Sequence, residues 1–175
     1  WKDNFQAGKG TLTYAEGDKY IGQWKNGYRT GKGKYTYSSG SIYEGEFEEN
    51  HGHGQGIFIY SDGSKYTGEF EESYEHGQGT MVYENGDKYV GPFVDDYQNG
   101  FGTYIFAKGD KYVGQFKNDW FVGQGTFEYA NGSKYVGEFK ERFEWFTGTT
   151  GQKINITEKG EVKGLLGDYY FVLYT

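Results

Sequence analysis

The chain has 175 residues, with 31 Gly, one Pro, no Cys and a net charge of −7. That length suits one domain or one short repeat array, and the lack of Cys removes disulfides, Cys-ligated zinc and Cys nucleophiles. The acidity argues against nucleic acid and anionic lipid, which are bound by Lys and Arg neutralising phosphates.

So much Gly could signal disorder, but 21% of the residues are Phe, Trp or Tyr, and disordered chains have few rings to bury. With few aliphatics beside them, the core must be built from rings and glycines, which suits a pleated sheet. No apolar run approaches the roughly 20 residues of a membrane helix. The chain begins at Trp1 with no Met and no signal peptide. It therefore reads as a trimmed piece, with a cytoplasmic location expected.

A repeat governs the order of elements. Tyr-x-Gly-x-Trp/Phe begins at Tyr20-Gly22-Trp24 and returns at Tyr43, Tyr66, Tyr89, Tyr112-Gly114-Phe116 and Tyr135, always 23 residues on. Gly-x-Gly keeps that period from Gly8-Gly10 to Gly123-Gly125, and so does a glycine running from Gly17 to Gly132. These three classes hold 24 of the 31 glycines, so the glycine is positional and not low-complexity filler. Each unit predicts a β-hairpin, "GTLTY" leading through "AEGD" into "KYIGQW". Asp62-Gly63, Asn85-Gly86 and Asn131-Gly132 predict tight turns with positive φ. Alternation puts Tyr20, Gly22 and Trp24 on one face, and likewise Tyr112, Gly114 and Phe116; Lys19, Ile21 and Gln23 take the other. Pro92 interrupts one strand, where it removes a backbone donor and predicts a local bulge.

These residues resemble the MORN (membrane occupation and recognition nexus) repeat. Six repeats follow a half repeat in which Trp1 is in register with Trp24. The resemblance implies an all-β fold: an elongated single-layer antiparallel sheet of successive β-hairpins, with a groove along one face. It also implies a scaffolding and recruiting role without catalysis, with protein segments or membranes as partners. The array is expected over residues 1–148. Residues 149–175, where the motif decays into "GLLGDYYFVLYT", are expected to be a degenerate repeat and cap, since an open end would aggregate.

Between the Trp/Phe and Gly-x-Gly lie six variable residues, read here as an inter-hairpin loop: "KNGYRT", "EENHGH", "EESYEH", "VDDYQN", "KNDWFV" and "KERFEW". Their fourth position holds Tyr28, His51, Tyr74, Tyr97, Trp120 and Phe143, with Phe5 in register before them. Such a ring stripe either closes the end of the groove or contacts a partner. Because one loop cannot hide several large rings inside a single-layer sheet, Trp120, Phe121, Phe143, Trp145 and Phe146 are expected to be partner contacts.

Charge is uneven as well. Residues 48–100 carry 2 basic and 11 acidic side chains. Glu48, Glu49, Glu71, Glu72, Glu75, Asp95 and Asp96 either keep the chain soluble or orient a basic partner. His51, His53 and His76 with Glu75 could suggest a metal, but the repeat register sets their backbones roughly 10 Å apart, too far for one zinc. No catalytic residues and no cofactor are expected.

The expectation is a non-catalytic scaffold for a protein or peptide bearing apolar and basic residues. The alternatives are a phospholipid-recruitment module and a regulatory module of a larger enzyme. An uninterrupted period, with variation confined to one window, also fits an engineered binder with randomised loops.

Overall fold

The computed structural model describes residues 5–139 in full and, beyond them, the backbone of 162–166 and 169–173. The described residues contain no helix. Thirteen strands form one open antiparallel sheet: β1 (Gly8–Thr13), β2 (Lys19–Lys25), β3 (Tyr28–Thr36), β4 (Ile42–Glu48), β5 (His51–Ile59), β6 (Lys65–Glu71), β7 (Tyr74–Val82), β8 (Lys88–Val94), β9 (Tyr97–Gln98), β10 (Gly100–Ile105), β11 (Lys111–Lys117), β12 (Trp120–Glu128) and β13 (Lys134–Phe139). Apart from β9, which pairs only with β8, each strand pairs with its neighbours in chain order. Strands β14 (Val162–Leu166) and β15 (Tyr169–Leu173) pair with each other in a separate two-stranded sheet. They fall in the segment expected to be a cap.

The repeat motif explains the ladder. Tyr20 and Trp24 lie on one face, and the Tyr20 ring crosses the backbone at Gly22 and Gly33. A Cβ on Gly22 would stand 2.7 Å from the Gly33 Cα, so only glycine permits the approach. The ladder shifts register just beyond this point, between Gly22 and Gln23. The Tyr20 hydroxyl donates to the Gln23 carbonyl there, at 3.0 Å. Tyr43, Tyr66, Tyr89, Tyr112 and Tyr135 repeat the bond three residues on, to Glu46, Glu69, Pro92, Gln115 and Glu138. Each bulge thus carries its own hydroxyl donor to a carbonyl at the irregular step.

Rings then link repeat to repeat. Phe47 meets its own Tyr43 and the preceding Tyr20 edge-on, both at 5.0 Å. Phe70, Phe93, Phe116 and Phe139 do the same along the sheet. Edge-to-face pairs of this kind contribute about 0.5–1.5 kcal/mol beyond their buried area.

Asp62-Gly63, Asn85-Gly86 and Asn131-Gly132 do turn with positive φ, at the glycine, but each within a three-residue loop. Tyr60 and Ser64 bracket a three-residue loop, closed by Gly63 N–H donating to the Tyr60 carbonyl at 3.0 Å. Only the glycine has positive φ (97° at Gly63), while the Asp62 carboxylate accepts from Ser64 N–H at 2.7 Å. The two-residue turns lie instead in the variable windows: Asn26-Gly27, Glu49-Asn50, Glu72-Ser73, Asp95-Asp96 and Asn118-Asp119 all have positive φ at both residues, the signature of a type I′ hairpin. Those windows are therefore turns plus strand starts and not loops. Pro92 sits at the bulge step of its repeat, where its missing N–H separates β9 from β10.

Gly68→Ala would set a Cβ 2.6 Å from Gly79 Cα and is expected to cost about 1–3 kcal/mol. Tyr66→Phe removes donation to the Glu69 and His76 carbonyls at 2.9 and 3.1 Å and should cost about 1–2 kcal/mol. Urea unfolding of both variants measures these losses.

Candidate functional site

The type I′ turns decide which side chains reach the ring face. Lys25 pairs with Tyr28 across the turn, and Trp24 pairs with Arg29. Paired residues share a face, so Tyr28 lies on the back of the sheet and Arg29 on the ring face with Trp24. By the same register, Gly52, Glu75, Gln98 and Phe121 pair with Phe47, Phe70, Phe93 and Phe116. The ring face thus carries one variable row, Arg29–Gly52–Glu75–Gln98–Phe121. Beside it run constant rows of partly buried rings, among them Tyr37, Tyr60, Tyr83, Phe106 and Tyr129.

Side chains of the variable row reach across this face. Glu75, 2% exposed, accepts from the Tyr60 hydroxyl at 2.6 Å. Gln98, 3% exposed, donates to the Tyr83 hydroxyl at 2.6 Å. Phe121 stacks on Tyr112 with centroids 4.0 Å apart. The Arg29 guanidinium lies 4.8 Å from the Tyr35 centroid and donates to the Asn50 carbonyl at 2.6 Å. Gly52 puts no side chain into the row, and a cavity of about 130 Å³ opens there, lined by Arg29, Tyr37, Tyr43 and Phe58 among others.

Turn residues hold the row in register. Asn50, Ser73, Asp96 and Asp119 each accept, through their side chains, from the backbone N–H of Arg29, Gly52, Glu75 and Gln98 respectively, at 2.7–2.9 Å. On the opposite edge Asp18, Ser41, Ser64, Asp87 and Asp110 make equivalent bonds into the next repeat, to Ser38, Ser61, Glu84, Ala107 and Ala130. The Tyr35 hydroxyl also donates to Asp18, which lowers the pKa of that carboxyl, while burial and this carboxylate raise the Tyr35 pKa to about 12. Burial pushes the Glu75 carboxyl up to about 8; Tyr60 opposes the shift, and Asp96 and Asp119 add to it.

The structure redistributes the expected site residues. Tyr28, Tyr74 and Tyr97 are 51%, 51% and 52% exposed, at the starts of β3, β7 and β9 and on the back of the sheet. His51 and the half-buried Trp120 share that side. By pairing, the described members of the expected stripe lie on the back of the sheet and not on the ring face. Phe121 does face the groove, packed on Tyr112 and Phe116 as part of the ring cluster. Phe143, Trp145 and Phe146 lie outside the described residues. Of the acidic set, Glu48, Glu49, Glu71, Glu72, Asp95 and Asp96 are exposed at or beside the turns, but Asp96 also caps Glu75 N–H. Glu75 is buried in the groove and is not a surface charge that could steer a partner at a distance. His53 lies 3.5 Å from Glu48, and His76 lies 3.4 Å from Glu71.

Sequence reading missed the row itself. Counting parity through two-residue turns would have found it. It also passed over Phe101 and Val136, which are 66% and 73% exposed; both fall on the back by pairing. That face has a broad trough of about 530 Å³ over the glycines, where Lys34 pairs with Glu44 at 3.7 Å.

One open sheet of like hairpins, with a constant ring face and one variable row, defines a repeat scaffold. The MORN repeat model matches residues 1–19, 20–42, 43–65, 66–88, 89–111 and 112–134, and the chain belongs to the MORN-repeat family. No curated protein matches the chain closely enough to count as a relative. Among solved structures it is similar to the TCP domain of SAS-4 (dCPAP) of Drosophila melanogaster in complex with a proline-rich motif of Ana2 (dSTIL). That likeness has 14% identity over 75% of this chain and 90% of that one, with a TM-score of 0.42. It is also similar to the G-box domain of the microcephaly protein CPAP, at 13% identity over 96% and 99% of the two chains, with a TM-score of 0.33.

Two substitutions separate the faces. Phe121→Ala should cost about 2 kcal/mol or more, whereas Tyr74→Ser should change stability by less than about 0.5 kcal/mol; thermal unfolding compares them. Glu75 supplies a pH test. Its folded pKa lies above the unfolded value of 4.5, so the native state holds the proton more tightly. Its stabilising contribution is then full below pH ~4.5 and is lost as pH rises through about 8. Glu75→Gln should therefore unfold at higher urea than the parent at pH 9, by about 1–2 kcal/mol, with the gap closing towards pH 4.

Proposed function

We propose that the chain is a non-catalytic scaffold that binds an extended segment of a partner protein along the ring face. The observation that carries this reading is the continuous row of partly buried rings, repeated every 23 residues, with no second layer over it among the described residues. Monomeric proteins seldom leave a contiguous apolar strip uncovered without an interaction to make there. The constant rings supply area. The row Arg29–Gly52–Glu75–Gln98–Phe121 changes character at every step, from cation to gap, acid, amide and ring, and supplies discrimination. Exposed acids at the turns, chiefly Glu48, Glu49, Glu71, Glu72 and Asp95, favour capture of a partner with basic flanks. Tyr28, His51, Tyr74, Tyr97 and Trp120 are contacts only for a partner that wraps around the turn edge.

Selection of random displayed peptides against the chain tests this. The expected result is enrichment of peptides that bind with micromolar affinity, lose about tenfold with Tyr83→Ala and keep their affinity with Tyr74→Ser. Failure to enrich any peptide, together with salt-sensitive flotation on phosphatidic acid vesicles, would replace this reading with lipid recruitment.

A further inference from the structure

The variable row has one vacancy. Arg29, Glu75, Gln98 and Phe121 each place a side chain on the ring face, and Gly52 places none. The cavity there is about 130 Å³, roughly four waters' worth at ~30 Å³ each, which is room for a carboxyl group and one or two methylenes. The rings of Tyr37, Tyr43 and Phe58 share its walls with Asn50 and Ser73, and Arg29 lines it as the charged group.

Arg29 is incompletely satisfied. One terminal nitrogen donates to the Asn50 carbonyl at 2.6 Å, and the buried Nε has no hydrogen-bond partner. The guanidinium lies over the rings of Tyr20, Tyr35 and Phe47, at 5.7, 4.8 and 5.7 Å from their centroids. Among the described residues no carboxylate forms an ion pair with it. Asp18, whose charge it feels, is engaged by the Tyr35 hydroxyl at 2.6 Å and by Ser38 N–H at 2.8 Å. Glu75, two repeats on from Arg29 and one from Gly52, is held largely neutral at pH 7 by burial, so it sets little negative charge against an incoming anion.

We propose that the Gly52 gap is a specificity pocket for an acidic side chain, Asp or Glu, of the segment docked along the groove, with Arg29 as its counter-charge. This deepens the scaffold reading and rests on it. A guanidinium backed by rings and short of acceptors favours a carboxylate, which can accept two of its N–H groups at once. An apolar side chain would fill the same space but leave the Arg29 donors unmet, at the cost of burying unpaired polar groups. The groove therefore asks for an acidic residue near its N-terminal end, although the turns of the middle repeats favour basic flanks.

The test uses two probes and two variants. The 15N-labelled chain is titrated with N-acetyl-glutamate N-methylamide and with its neutral counterpart, N-acetyl-glutamine N-methylamide. The glutamate probe is expected to shift the Gly52 amide and the Arg29 Nε–H resonance, to bind at least tenfold more tightly than the glutamine probe, and to weaken with salt. Gly52→Gln, whose Cβ would stand 3.0 Å from Tyr43 Cζ and so needs a small shift of that ring, fills the gap with the residue type found at position 98. It should abolish the response while the amide spectrum away from the pocket stays that of the parent. Arg29→Gln should remove the preference for charge. Equal response to both probes, or a response that survives Gly52→Gln, overturns the pocket. The scaffold is judged separately with peptides from the selection. Peptides that bind the parent and Gly52→Gln equally, without acidic enrichment, overturn the pocket and leave the scaffold standing. A chain that binds no peptide overturns the scaffold, whatever the probes do.

Discussion

The array depends on one hydroxyl. In each repeat a tyrosine lies across glycine backbone and donates to the carbonyl three residues on, at 3.0 Å for Tyr20 and 2.7 Å for Tyr43. That bond falls where the ladder shifts register, and the glycines beneath the ring are the only residues that let it lie there. The same ring is the flat surface against which two Phe or Trp edges pack, one from its own repeat and one from the next. A single contact thereby links local geometry to propagation, and a single-layer sheet acquires a core without a second layer.

This arrangement leaves one face constant and concentrates variation in one row. The hydroxyl and the bulge fix the strand from Tyr20 to Gln23 and its partners. The type I′ turn that follows fixes the parity of the next strand, so the second residue after the turn always returns to the ring face. Side chains from the turns and from the three-residue loops bond into neighbouring repeats on both edges. The row from Arg29 to Gln98 is thus held by bonds to its backbone that do not depend on what the row contains. A scaffold built this way tolerates an arginine, a gap, an acid, an amide or a ring at one position, which a recognition surface needs.

Much of the fold was legible in the sequence, because period, glycine and ring recur in fixed register and each has a single steric meaning. The site was less legible, for a physical reason. Asp-Gly and Asn-Gly draw attention as tight turns, yet here they close three-residue loops. The true two-residue turns are built from Glu49-Asn50, Glu72-Ser73, Asp95-Asp96 and Asn118-Asp119, which carry positive φ without glycine. Reading those windows as loops suspended the alternation of faces, and a one-residue error in parity exchanges front for back. Tyr28 and its equivalents therefore looked like groove residues, while Arg29, Gly52 and Gln98 passed unnoticed. Glu75 looked like surface charge for a related cause: composition reports how many acids a segment has but not which of them is buried.

The central claim is that recognition runs along the ring face. Proton spectra of the tyrosine rings, recorded with and without a bound selected peptide, test it most directly. The account predicts shifts and intermolecular Overhauser contacts at Tyr37, Tyr60 and Tyr83, with Tyr28, Tyr74 and Tyr97 unchanged. Contacts confined to Tyr28, Tyr74 and Tyr97 would contradict it and move the recognition surface to the back of the sheet.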